Sequence, residues 1–114
     1  MFEVARHAFV PIPDEIAEWM EVIPVEDCEM QSGLIWKKQR GRVLAGTRVG
    51  SIYTGRSTGR TYWQVKFNYR MISASRIVYK LKFGVDSPMH VVCHKNDDSL
   101  DNHWENLYLR ECRI

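Results

Sequence analysis

A chain of 114 residues has room for one modest hydrophobic core and not for two, and its 45% hydrophobic and 26% charged residues exclude a disordered tail. No apolar run approaches the thickness of a bilayer, and "MFEVARHAFVPIPDE" lacks the basic start, apolar centre and cleavage site of a secretory signal, so a cytoplasmic protein is expected, in the host cytoplasm were it viral. The net charge of +2 is the sum of three unlike segments: −7 over residues 1–32, +12 over Gly33–Gly84, which holds no Asp or Glu, and −3 over residues 85–114.

In chain order, "PIPDEIAEWMEVIP" spaces Ile16, Trp19, Met20 and Ile23 as one helical face, which predicts a short amphipathic helix ending before Pro24. Asp14 and Glu15 fall near its amino end, where the helix dipole favours acids. Residues 1–32 thus form an acidic extension carrying one short helix. "SGLIWKK" predicts a strand after a glycine turn, and Gly41, Gly46, Gly50, Gly55 and Gly59 punctuate a loop-rich stretch of short strands. "TYWQVKF" and "YRMIS" are β-rich and meet at Asn68, which tolerates a tight reversal, so a hairpin is expected with Lys66 and Arg70 flanking its turn. "SASRIVYKLKFG" changes to a helical period: Ser73 can cap, Ala74, Ile77, Val78 and Leu81 make one apolar stripe, and Gly84 can stop it. Arg76, Lys80 and Lys82 are then left for solvent or phosphate. "MHVVC" predicts a short buried strand, "HKNDDSLDNHWEN" a polar loop and "LYLRE" a final strand. The expected fold class is α+β, one small domain of short antiparallel strands with a hairpin followed by a helix.

A long basic stretch with interleaved aromatics, as in "YTGRSTGRTYWQVKFNYR", suits a phosphate backbone, because the cations release condensed counterions while the rings pack or stack. Nucleic acid is therefore the expected partner, with DNA the form the hypothesis is tested on. The contacts proposed are Lys37, Lys38, Arg40, Arg42, Arg48, Arg56, Arg60, Lys66, Arg70 and Arg76, mainly to phosphates. The alternative is that the acidic flanks fold back and neutralise the block with ordinary surface salt bridges. Cys28, Cys93 and Cys112 make an odd, scattered count without a CxxC pair, which argues against a disulfide framework or a structural zinc knuckle.

From Gly33 onward the chain resembles the phage-type HNH endonucleases, the His-Me finger or ββα-metal group that includes intron-encoded homing enzymes. "GLIWKKQRGRVLAGTRVGS" is similar to the family's lead strand and glycine turn, "YWQVKFNYRMISASRIVYKLKFG" to its hairpin and helix, and "HKNDDSLDNHWENLYLR" to its histidine loop. The resemblance implies an HNH-nuclease-like domain over residues 33–114, with a basic part at 33–84 and the histidine loop at 89–110. It implies that His94 is the general base, whose imidazole can take a proton from water placed in line with phosphorus. It implies that Asn106 staples the loop, with Asn102 and Asp101 beside it and Asp98 at its acidic bend.

Three positions depart from the family pattern. The residue before the base is ordinarily an Asp or His that binds the metal, and here it is Cys93, a soft donor poorly matched to Mg²⁺. The family's last ligand would fall just past Ile114, so the ββα finger at the C-terminus is expected to be incomplete, without its metal-facing helix. Ser75 stands where the family's "HR" pair has His, while Arg76 is kept. Cys93 and His103 remain as candidate metal donors, with Asp97 and Glu111 nearby, although a zinc cluster of His90, Cys93, His103 and Cys112 lacks any standard spacing. The expectation is a nucleic-acid-binding protein with an eroded metal site and weak or no cleavage, its cofactor a divalent cation, Mg²⁺ or Mn²⁺, if it is active and none otherwise. One alternative is a working nuclease using Mg²⁺ or Mn²⁺. A second is a phage-encoded inhibitor docking on a host or defence protein through its acidic first third or basic middle.

Overall fold

The first apolar stretch forms only one turn of helix, α1 (Ile16–Trp19), before the backbone extends into β1 (Met20–Val22). The expected helix is therefore corrected at its second half. So few residues cannot sustain a helix alone, and Met20–Val22 instead satisfies its backbone by antiparallel pairing with β2 (Leu34–Trp36), Met20 facing Trp36 and Val22 facing Leu34. Ile16, Met20 and Ile23 are all buried in this arrangement, so the apolar spacing is spent on the core without continuous helix.

The computed structural model describes residues 11–23, 32–56, 59–87 and 89–111. Beyond β2, an irregular stretch leads to a three-stranded antiparallel sheet of β3 (Ser51–Thr54), β4 (Thr61–Phe67) and β5 (Arg70–Ser73), with β4 in the centre. The β4–β5 hairpin turns through Asn68 and Tyr69, both with positive φ (50° and 65°), the left-handed pair that a two-residue loop needs to match strand twist. On its inner face this sheet carries Trp63, Val65, Phe67 and Ile72, all buried.

Helix α2 (Ala74–Phe83) follows β5 without a loop and lays Ala74, Ile77 and Val78 against that face. Its last carbonyls are closed by Gly84, whose left-handed conformation lets its amide reach Lys80 O at 2.8 Å. A second hairpin, β6 (His90–His94) with β7 (Leu107–Glu111), completes the chain, paired from His90–Glu111 to His94–Leu107. The strand "HVVC" was expected to be buried, but Val91 is 37% exposed and Cys93 half-buried, because only one face of this two-stranded ribbon meets the core. The architecture is the α+β arrangement of short antiparallel strands and one main helix. No described helix is long and apolar enough to cross a membrane.

Candidate functional site

The loop between β6 and β7 is built from its own short polar side chains. Asp98 Oδ1 accepts the Leu100 amide (3.0 Å), Asn96 Oδ1 the Asp98 amide (2.9 Å) and Asp101 Oδ1 the His103 amide (3.2 Å), each spanning two residues. Such side-chain turns hold a backbone that has no ladder partners. Asn106 ties the ends together: its Nδ2 donates to Asn96 Oδ1 and to the Asp101 carbonyl, both 2.9 Å, and its Oδ1 accepts the Asn96 amide at 3.2 Å. Asn106→Ala is expected to cost about 1–3 kcal/mol in urea unfolding by stranding these groups, and a loss below about 0.5 kcal/mol would mean that the turns close the loop without it.

Two contacts fix this loop on the sheet. Trp63 Nε1 donates to Leu100 O at 2.8 Å, and Ser99 Oγ donates to Thr61 O. Beneath it lies Asn102, 1% exposed, whose Oδ1 is 2.7 Å from His94 Nε2. An amide oxygen can only accept, so with the Asn102 amide in this orientation Nε2 carries a hydrogen, which in the neutral ring leaves the lone pair on Nδ1. His94 at the end of β6 is thereby held in the tautomer that leaves one nitrogen able to take a proton.

His94 opens onto a groove of about 660 Å³, lined also by Cys93, Asp97, Ser99, Tyr108, Arg60 and Arg110. The β6–β7 register explains part of this lining: Cys93 faces Tyr108 and Val91 faces Arg110, so these four side chains share one side of the ribbon. Arg110 and Tyr108 are residues that the sequence did not single out. Alternation along "LYLRE" places them on the face opposite Leu107, and the register pairs His94 with Leu107, so they reach the groove from the other side of the ribbon than His94.

The proposed cations are dispersed. Arg60 lines the His94 groove, whereas Arg76 lines an adjoining recess of about 350 Å³ with Ser73, Ser75, Ser87 and His90. Arg76 is paired with Asp86 at 2.8 Å, Lys80 with Asp14 at 3.1 Å, and Lys82 lies over the Trp104 ring, so these three are engaged and not simply left to solvent. Acids from both flanks thus do return to the basic block at two points. Lys38 and Arg40 lie over Trp19, Arg40 also over Phe67, and Arg48 over Trp63, each centred 4.3–4.8 Å from the ring. These cations cover aromatic surface while keeping their charge at the protein boundary. Lys37 Nζ donates to Ala17 O, and Arg70 to Pro11 O. Arg42, Arg56 and Lys66 are exposed.

Metal donors do not assemble in the same way. Asp98 and Asp101 are occupied by loop amides, and His103 Nδ1 accepts the Glu105 amide at 3.3 Å. Among the described residues no three His, Cys, Asp or Glu side chains converge to hold a metal ion. Cys93 is a free thiol, while Cys28 and Cys112 lie outside the described residues.

Residues 73–112, from the cap of α2 through β7, match the family model described as HNH endonuclease, so this part of the chain is similar to that family. No curated protein and no solved structure matches the chain. HNH endonucleases generally use a divalent metal ion, and the family suggests DNA as substrate. The described donors around His94, a thiol and the Asp97 carboxylate, do not by themselves fit such an ion, since Mg²⁺ requires octahedral oxygen coordination.

Proposed function

We propose that this protein binds DNA along the groove beside His94, with metal-dependent cleavage weak or lost. The observation that carries the reading is the mismatch within one groove: phosphate-binding chemistry is present in Arg60 and Arg110, while a hard donor set for a cation is not assembled among the described residues. The +12 segment Gly33–Gly84 adds a sequence-independent attraction for the backbone. In this reading the ancestry is that of a phage-type nuclease whose binding outlived its cutting.

A second reading, an active endonuclease, is favoured by one feature: His94 lines the groove and its ring is held by Asn102, an oriented imidazole of the kind a general base requires. One assay separates the two. Supercoiled plasmid is incubated with the protein and Mg²⁺, Mn²⁺, Zn²⁺ or EDTA, and scored for mobility shift and nicking. A shift that weakens steeply with salt, with no nicking under any metal, is the expected result. Nicking that needs a divalent ion and disappears in His94→Ala would establish the second reading, and salt-independent binding would remove the first.

A further inference from the structure

The outward face of the three-stranded sheet takes no part in the His94 groove. The register sets Tyr53 opposite Tyr62, Ser51 opposite Gln64 and Lys66 opposite Met71, so these side chains share the face that points away from Trp63, Val65 and Phe67. An antiparallel sheet with one buried face ordinarily shows polar residues on the other. Here Tyr53 is 43% and Met71 53% exposed, Lys66 is exposed, and Tyr62 and Gln64 are half-buried.

The two tyrosines form a unit. Their ring centroids are 5.4 Å apart with planes inclined at 59°, and Gln64 Nε2 donates to Tyr62 Oη at 3.3 Å, which steadies that ring. No acid occurs anywhere in β3, β4 or β5, or in the turns joining them. An exposed aromatic surface on strands that carry no acid of their own, with Glu15 reaching the sheet at Asn68 in the β4–β5 turn, suits an anionic partner that also carries flat apolar groups. Unpaired nucleotides meet both conditions, whereas in a duplex the base faces are hidden against one another.

We propose that the Tyr53–Tyr62 face is a stacking platform for single-stranded DNA, with Lys66 contacting the backbone. The proposal rests on the reading of the partner as DNA but uses none of the His94 groove. Binding is measured by anisotropy with a labelled oligothymidylate of about 12 nucleotides, a length within the range of single-strand binding sites, and with a duplex of equal length.

Wild-type protein is expected to bind the single strand, with quenching of tyrosine fluorescence. Tyr53→Ala should weaken that binding at least about fivefold while leaving the duplex unaffected, and Tyr53→Phe should retain it, because stacking needs the ring and not the hydroxyl. Equal single-strand affinity in wild type and Tyr53→Ala would overturn the platform, as would an equal loss on the duplex. Preference for oligouridylate over oligothymidylate would overturn the assignment to DNA. Duplex binding that depends on Arg110 without any binding of the single strand would sink the platform and leave the groove standing. Failure to bind either form at low salt would remove both.

Discussion

Gly33→Ala is expected to lower the melting temperature by on the order of 10–20 °C, a loss of roughly 3–5 kcal/mol when left-handed strain and overpacking are combined. Gly33 has φ +85°, and a Cβ built there would collide with the Asn102 carbonyl oxygen and come within 2.9 Å of Val78 Cγ2. Neither neighbour can yield easily. Val78 is fully buried on α2, and Asn102 is the buried partner of His94. Gly33 O also accepts the Ile23 amide at 3.1 Å, so rotating the peptide away would cost the bond that joins the chain just after β1 to the chain just before β2. Gly46→Ala supplies the comparison: φ is +87°, yet nothing stands within 4 Å of the added carbon. It should show only the conformational part, about 1–2 kcal/mol. Equal effects in the two variants would mean that the close approach of Gly33 to the histidine loop is not rigid. Thermal unfolding by circular dichroism measures both.

The contrast between these glycines shows which parts of the fold can be read from local sequence. The β4–β5 hairpin and α2 are legible because their signals are adjacent: a turn residue at Asn68, an apolar stripe and a stop at Gly84, with Ser73 at the N-cap position although its hydroxyl meets Ser75 Oγ and caps no amide. The segment Ile16–Ile23 is not legible as a whole because its spacing serves a helix and a core-facing strand alike, and pairing of Met20–Val22 with Leu34–Trp36, which no local pattern announces, makes the choice. The same limit applies around His94. Its place in the loop follows from the order of residues in "HKNDDSLDNHWEN", but the Asn102 contact and the arrival of Arg60 from the β3–β4 connection are tertiary facts. Charge patterning identified the basic block without revealing that several of its cations lie on Trp19, Phe67 and Trp63, because a cation over a ring and a cation at a phosphate have the same one-letter code.

Asn102→Ala is expected to release the tautomer of His94 and, in any preparation that nicks DNA, to slow nicking about 10- to 100-fold, the usual consequence of losing a partner that orients a reacting group. The physical cause is specific. With Oδ1 removed, Nε2–H loses the acceptor 2.7 Å from its nitrogen in a part-buried site, and the ring can either rotate or shift its proton to Nδ1. Either change withdraws the lone pair that a base would use. Nitrogen NMR of histidine-labelled protein tells protonated from bare ring nitrogens, so wild type should show a hydrogen fixed on Nε2 and the alanine variant a mixture. Asn102→Asp keeps an acceptor at the same reach and should restore the wild-type tautomer, even though burying a carboxylate lowers stability. That split between stability and tautomer separates orientation of the imidazole from simple packing. Were the alanine variant to keep the Nε2-protonated signature, the His94–Asn102 bond would be incidental to the ring's state, and the case for a retained base beside the groove would go with it.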